Sequence, residues 1–264
     1  MNNKKTAAVE KKMVFWYNDD SWNFKYKNKN EGMILILRKW EDIPSALKNE
    51  RTRYYYEILS KKKFDLFFKR VFDFITAALL LILLAPVFVT VAVLVKLTSA
   101  GPILYKQDRV TTYGKVFRIY KFRTMVENAD KMGSLVTLNN DDRVTKLGRF
   151  LRRVRLDEIP QLFNIIFGQM SFVGTRPEVK KYVEAYSDEM LATLLMPAGV
   201  TSLACISFRD EDKHLDSRES TESTYINKIL PEKMKYNLEY ISKFNVFYDI
   251  FLMLKTVLAV VNIV

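Results

Sequence analysis

The chain has 264 residues, 49% of them hydrophobic and 27% charged, and carries a formal charge of +12. This is a globular composition, long enough for one well-built core with extensions or for two small domains, and its basic excess points to an anionic partner: a lipid surface, a phosphorylated substrate or nucleic acid. A single cysteine, Cys205, excludes an internal disulfide framework, and a single histidine, His214, argues against a Cys/His zinc site or a histidine-based triad.

Residues 1–63 read as a basic, aromatic N-terminal extension, poorly ordered or lying on a surface. Trp16, Tyr17, Trp22, Phe24 and Tyr26 alternate there with lysines, and no apolar run of the secretory type follows the first lysines. A short strand is predicted at Leu35–Lys39 and a helix over Pro44–Ser60, whose Arg51, Arg53 and tyrosines 54–56 suit a lipid headgroup zone. Residues 64–98 dominate the hydropathy, because Phe74 to Val95 contains no charge. As a straight helix that run would reach about 33 Å, enough for a bilayer core of about 30 Å. Pro86 interrupts it, and positive charge flanks both ends (Lys61–Lys63, Lys69 and Arg70 before; Lys96, Lys106 and Arg109 after). A helix broken at Pro86 that enters and leaves on one face accounts for both features; a kinked spanning helix is the alternative.

Residues 99–210 have the mixed composition of a soluble core. Ile103–Gln107 and Val116–Phe122 read as strands joined by a turn around Thr112–Gly114. A short helix starts at Glu127–Met132. Thr145–Arg155 is a basic helix with Leu147, Phe150, Leu151 and Val154 at helical spacing. Further helices are predicted from about Asp157 to Phe167, stopped by Gly168, and over Glu178–Leu195. Val200–Phe208 reads as extended. Residues 211–264 hold amphipathic helices marked by Ile229, Met234, Leu238 and Ile241, and end in the apolar run Val246–Val264, suited to a core or a membrane interface.

The densest concentration of chemistry is Arg149, Arg152, Arg153 and Arg155 followed by Asp157 and Glu158. Pro160 belongs in a first helical turn, so the acidic pair sits at or just before a helix N-terminus. Free N–H groups there favour phosphate, and arginines add bidentate contacts. A carboxylate beside phosphate calls for a neutralising ion such as Mg²⁺, and an aspartate is also able to attack phosphorus. The same residues equally suit a plain helix cap with ion pairs. Lys121 and Arg123 would share one strand face with Phe122 on the other, and Gly174-Thr175-Arg176-Pro177-Glu178 is a tight loop that presents Arg176. No Walker loop or dinucleotide fingerprint is present.

In this order these pieces resemble the bacterial sugar transferase family, the monotopic polyprenyl-phosphate phosphoglycosyl transferases. The resemblance starts at Lys69-Arg70-Val71-Phe72-Asp73 and passes through the run broken at Pro86 to Gly101-Pro102-Ile103. It takes in Lys121-Phe122-Arg123-Thr124-Met125 and Gly148-Arg149-Phe150-Leu151-Arg152. It peaks at Leu156-Asp157-Glu158-Ile159-Pro160-Gln161-Leu162-Phe163-Asn164, and ends with Gly168–Gly174 and Arg176-Pro177-Glu178. It implies a mixed, helix-rich α/β fold. A re-entrant helix-break-helix in the inner membrane would be followed by a small cytosolic catalytic domain with short strands and amphipathic interfacial helices. It further implies a UDP-sugar donor and an undecaprenyl phosphate acceptor, with Asp157 as nucleophile, Glu158 as Mg²⁺ ligand or proton-transfer partner beside Asp157, and UMP as the released product. Arg152 would contact a phosphate; Lys121, Arg123, Thr124, Arg176 and Pro177 would complete the anion pocket. The partners implied are therefore the two substrates and membrane lipid, not nucleic acid, with a homodimer left open. The non-enzymatic alternative is a membrane-anchored basic protein that binds anionic lipid or nucleic acid.

The sequence departs from the family pattern in places. Ala85-Pro86 stands where many members have Ser-Pro, and Thr175 replaces the first proline of Gly-Pro-Arg-Pro. Met196-Pro197-Ala198-Gly199-Val200-Thr201-Ser202-Leu203 stands where Arg-Pro-Gly-Ile-Thr-Gly is common, so no contact is carried over to that stretch. Asn237 lies near a position that is acidic in some members and receives no metal role.

Overall fold

The computed structural model describes residues 37–129, 132, 141–208 and 221–260. The aromatic stretch before residue 37, the start of the strand expected at Leu35–Lys39, part of Glu127–Met132 and His214 lie outside them.

Helix α1 (Glu50–Ser60) is capped by Asn49, whose side chain accepts the Thr52 N–H at 2.7 Å. Residues 37–63, read from sequence as part of a surface-lying extension, pack inward instead. Leu37, Ile43, Leu47, Tyr55 and Leu59 are buried in the main core; Tyr55 and Leu59, one turn apart, share the inward face of α1.

Helices α2 (Lys63–Leu83) and α3 (Ala85–Thr98) follow, bent from one another by 64°. Leu84 separates them and Pro86 falls in the first turn of α3, where its missing N–H costs nothing. No single helix among the described residues is long and apolar enough to cross a membrane; the bent pair taken together meets that length and composition. Its outward side is apolar, with Phe64, Ile75, Leu79, Ile82, Leu83, Val89, Val93 and Leu97 exposed.

The base of α2 is held by charge. Arg70 donates to the carbonyls of Ile165 (2.6 Å) and Ile166 (2.9 Å), which lie at a helix C-terminus where cations are favoured. Asp73 accepts the Phe172 N–H at 3.2 Å. Lys69, fully buried, donates to the Val173 carbonyl at 2.8 Å and to Asp249 at 2.6 Å, and Tyr240 donates to the other oxygen of Asp249 at 2.7 Å. The Lys69-Arg70-x-x-Asp73 pattern thus fastens the apolar pair to the rest of the molecule.

Strands β1 (Leu104–Val110) and β2 (Val116–Phe122) form an antiparallel hairpin that pairs Leu104 with Phe122 and Val110 with Val116. Its tight turn uses left-handed backbone at Tyr113 and Gly114. Helix α4 (Lys146–Arg153), capped by Thr145, leads through the 3₁₀ turn Leu156–Glu158 into α5 (Gln161–Ile166), which packs across α2 and β2. Strand β3 (Met170–Val173) pairs in parallel with β4 (Ala198–Thr201). Between them the single helix expected over Glu178–Leu195 is instead a short α6 (Lys180–Val183) and a 3₁₀ segment, Met190–Leu195; the break falls around Ser187-Asp188, residues that favour turns over helix. The extended reading of Val200–Phe208 holds only to Thr201. Ser202 then caps α7 (Leu203–Ser207) by accepting the Cys205 N–H at 2.9 Å.

The C-terminal part comprises α8 (Thr221–Thr224), a π-helical turn (Tyr225–Ile229), α9 (Leu230–Lys243) and α10 (Val246–Val260). Ile229, Met234, Leu238 and Ile241 all reach the core, as their spacing predicts. α10 buries Asp249 and Leu252 and exposes Phe247, Phe251, Leu254, Val257 and Leu258. The result is a helix-rich mixed fold with two small sheets.

Candidate active site

Three chain segments converge behind the hairpin. The first is the end of β2. Phe122 turns into a small apolar cluster with Val91 and Val95 of α3 and Leu151 of α4, so Lys121 and Arg123 fall on the opposite face. Arg123 lies against the end of α3, where its Nη2 donates to both the carbonyl and the hydroxyl of Ser99 at 2.7 Å. Its Nε and Nη1 are buried without a hydrogen-bond partner among the described residues. Gly101 makes this seat: a Cβ there would stand 2.5 Å from Nη1.

The second segment is α4 and the turn behind it. Gly148 lies so close to β2 that a Cβ would meet the Thr124 carbonyl oxygen at 2.0 Å. That contact brings Arg152 to Thr124, with its Nε donating to Oγ1 at 2.9 Å. Arg155 adopts left-handed backbone (φ 58°), which ends the helix and turns Asp157 and Glu158 inward, where both are buried.

The third is the loop after β3. Gly174 and Gly199 cross backbone to backbone, and a Cβ on Gly199 would come within 2.1 Å of the Gly174 nitrogen. Thr175 accepts the Gly199 N–H through its carbonyl at 2.9 Å. The loop then delivers Arg176.

Glu158 is the hub. Its Oε1 accepts from Lys121 Nζ at 2.8 Å and Arg176 Nη2 at 3.0 Å, with Arg155 Nη1 at 4.0 Å. Burial alone would raise its pKa, but Lys121, Arg176 and Arg155 outweigh that and hold the carboxyl well below the usual range. Glu158 in turn raises Arg176. Asp157 moves the other way: burial, then the charge of Glu158, push it up against the pull of Lys121, Arg152 and Arg155. Its Oδ1 is buried with no hydrogen-bond partner among the described residues.

These groups line one cavity of about 810 Å³. Lys121, Arg123, Thr124, Arg152 and Arg176 all face it together with Asp157 and Glu158. Pro177 does not; its carbonyl accepts from Arg109 at 3.0 Å. Pro86 lies apart, at the bend of the apolar pair. Arg155, part of the basic cluster noted in the sequence, also lines the cavity, and so do three residues not assigned to the site from the sequence, Tyr105, Gln107 and Arg109 on β1. The alternation of Tyr105, Gln107 and Arg109 was the available signal, since period two puts all three on one strand face.

Among the described residues no three metal-ligating side chains cluster. Mg²⁺ is commonly held by one or two carboxylates plus substrate phosphates and water. The orphaned Asp157 oxygen beside Glu158 fits an ion of that kind, arriving with a phosphorylated ligand. A cavity that sets many fixed cations around two carboxylates is built for a multiply charged anion, with one carboxylate neutralised and the other left without a partner.

The profile of the family described as bacterial sugar transferase matches residues 64–263. The chain belongs to the bacterial sugar transferase family. Among its relatives in that family is the UDP-glucose:undecaprenyl-phosphate glucose-1-phosphate transferase of Klebsiella pneumoniae, 37% identical over 199 residues, which are 73% of this chain and 40% of that protein. The exopolysaccharide production protein ExoY of Rhizobium meliloti is 32% identical over 207 residues, covering 73% of this chain and 84% of the relative. A putative undecaprenyl-phosphate N-acetylgalactosaminyl 1-phosphate transferase of Bacillus subtilis is 41% identical over 122 residues, 46% of this chain and 68% of the relative. The chain thus spans about two fifths of the length of the Klebsiella sugar transferase and most of the length of ExoY. The matched region of this family member runs from α2 to α10 and includes the whole cavity.

Proposed function

We propose that this protein transfers a sugar 1-phosphate from a UDP-sugar to undecaprenyl phosphate and releases UMP. The observation that carries the reading is the pair Asp157–Glu158: one carboxylate is held by a ring of cations, and its neighbour is buried with an unpartnered oxygen in a basic cavity. The relatives' names supply the donor and acceptor classes.

In this reading Asp157 Oδ1 attacks the donor phosphorus that bears the sugar. An aspartyl–phosphorus bond forms, the bond from that phosphorus to the bridging oxygen breaks, and the oxygen leaves with UMP and its electron pair. A phosphate oxygen of the polyprenyl acceptor then attacks the same phosphorus, and Asp157 departs as a carboxylate. Lys121 and Arg176 hold Glu158 and offer their remaining N–H groups to the transferring phosphate; Arg152 and Arg123 face the same space. When bound, Mg²⁺ held by Asp157 or Glu158 and the donor phosphates would neutralise charge on the diphosphate.

In this reading the site lies at the cytoplasmic face of the inner membrane. The bent apolar pair enters the near leaflet, and the exposed row of α10 lies along the interface. The exposed apolar side chains on α2, α3 and α10 support this.

The test is to incubate the protein in native-like discs with undecaprenyl phosphate, Mg²⁺ and each of UDP-glucose, UDP-galactose and UDP-N-acetylgalactosamine, and to follow UMP. UMP that depends on acceptor and on intact Asp157 is expected. An Asp157→Asn protein with wild-type turnover would remove Asp157 from the mechanism. UMP release from no donor, with folded protein, would count against the transferase reading.

A further inference from the structure

Arg176 reaches Glu158 from a loop, and loops hold side chains less rigidly than strands or helices do. What fixes this loop extends beyond the cavity. Glu178, two residues on, is buried. Its backbone carbonyl accepts the Val110 N–H at 2.9 Å, tying the loop to the end of β1. Its carboxylate is shared: Tyr225 donates to Oε1 at 2.5 Å, and Arg109 Nη1 lies 3.8 Å from Oε2. The same Arg109 nitrogen donates to the Pro177 carbonyl at 3.0 Å, while Arg109 Nε and Nη2 are anchored on Gln107. Buried Lys233 closes the group, with Nζ 3.5 Å from the Tyr225 hydroxyl and 5.3 Å from its ring centroid.

Tyr225 opens the π-helical turn of the C-terminal part, far from Arg176 in sequence. Turns of this kind re-aim one side chain within an otherwise regular helix. Glu178 also lies within electrostatic reach of Arg176. An unoccupied Glu178 carboxylate would therefore compete with Glu158 for that guanidinium. The short hydrogen bond from Tyr225 and the ion pair with Arg109 keep Glu178 engaged elsewhere.

We propose that Tyr225 is a positioning residue: through Glu178 it fixes the Arg176 loop and reserves Arg176 for Glu158 and for the phosphates of a nucleoside diphosphate donor. The inference deepens the transferase reading and rests on it for the identity of the ligand, though not for the mechanical link between Tyr225 and the loop. The C-terminal helices thereby set how well the cavity binds its anion, although none of their described residues lines it.

The structure supplies its own control. Tyr182 packs at a tilt against Tyr225 with ring centroids 4.9 Å apart, and its hydroxyl is buried without a hydrogen-bond partner among the described residues. Tyr225→Phe and Tyr182→Phe each remove one buried hydroxyl from the same ring pair, and only the first touches Glu178.

The experiment compares wild type, Tyr225→Phe and Tyr182→Phe as full chains in lipid discs by two readouts. Hydrogen exchange of the peptide covering residues 174–179 is expected to quicken several-fold in Tyr225→Phe and to stay at the wild-type rate in Tyr182→Phe. UDP affinity is expected to fall about tenfold in Tyr225→Phe alone. Wild-type exchange at 174–179 in Tyr225→Phe would overturn the positioning role. Faster exchange with unchanged UDP affinity would overturn its link to donor binding. Equal losses in both variants would reduce Tyr225 to a packing residue. Should wild type neither bind UDP nor release UMP, the transferase reading fails while the exchange readout still decides whether Tyr225 holds the loop.

Discussion

Asp157 and Glu158 are neighbours in the chain, yet their carboxyls are pushed in opposite directions, because Lys121 and Arg176 both reach Glu158 and neither bonds Asp157 Oδ1. The cations around Glu158 favour its ionised form, while burial and the charge of Glu158 disfavour ionisation of Asp157. The sign for activity follows. A raised Asp157 is ionised, and able to attack, only above a pH higher than the ordinary aspartate value. The donor kcat/KM should therefore fall about tenfold per pH unit on an acid limb lying above that value. A profile flat down to ordinary aspartate titration would contradict the assignment; UMP release across pH measures it. Gly148 is a second point of sensitivity. A methyl group there meets the Thr124 carbonyl oxygen at 2.0 Å. Gly148→Ala should then cost about 1–3 kcal/mol of stability by overpacking, and should lower turnover by moving Arg152 off Thr124; denaturation midpoints and UMP release report the two effects separately. The acidic pair and its arginines were legible as sequence because they are contiguous. Glu158's capture by Lys121 and Arg176 was not, since those contacts span 37 and 18 residues and only the fold closes them.

At the scale of elements, the ion pair Lys69–Asp249 joins α2 to α10 across 180 residues, and both side chains are buried. Removing one member strands the other, which typically costs about 3–5 kcal/mol. Asp73, 4.0 Å from the lysine, is a distant substitute. Asp249→Ala should accordingly lower the unfolding midpoint sharply while leaving the cavity residues untouched; a midpoint equal to wild type would show that Asp73 and the Val173 carbonyl suffice for Lys69. Regular elements with strong periodicity were readable in advance. The hairpin, α4 and α9 all follow from alternating or one-turn spacing of apolar residues. The segment from Glu178 to Phe208 was not readable, because its residues are held by tertiary contacts. Leu191, Ala192, Thr193, Leu194 and Leu195 are buried in succession as a 3₁₀ segment, a pattern without helical or strand periodicity.

For the whole molecule, a pair bent by 64° is compatible with a broken span or a re-entrant loop, and the re-entrant arrangement proposed above keeps α1 and the cavity on the same side of the membrane. Single-cysteine proteins (Cys205→Ser background) labelled at exposed Glu57 or Lys146 test this in sealed vesicles. Both positions should react with a membrane-impermeant thiol reagent from the same side, and opposite sidedness would establish a span. The central claim, that Asp157 carries the phosphosugar, is tested most directly by intact-mass measurement of the protein incubated with its UDP-sugar and Mg²⁺ in the absence of polyprenyl phosphate. The account predicts an added mass of one sugar phosphate on wild type, its removal on adding undecaprenyl phosphate, and no adduct on Asp157→Asn. A wild-type protein that releases UMP when the acceptor is present but never carries the adduct, even under rapid quench, would contradict it.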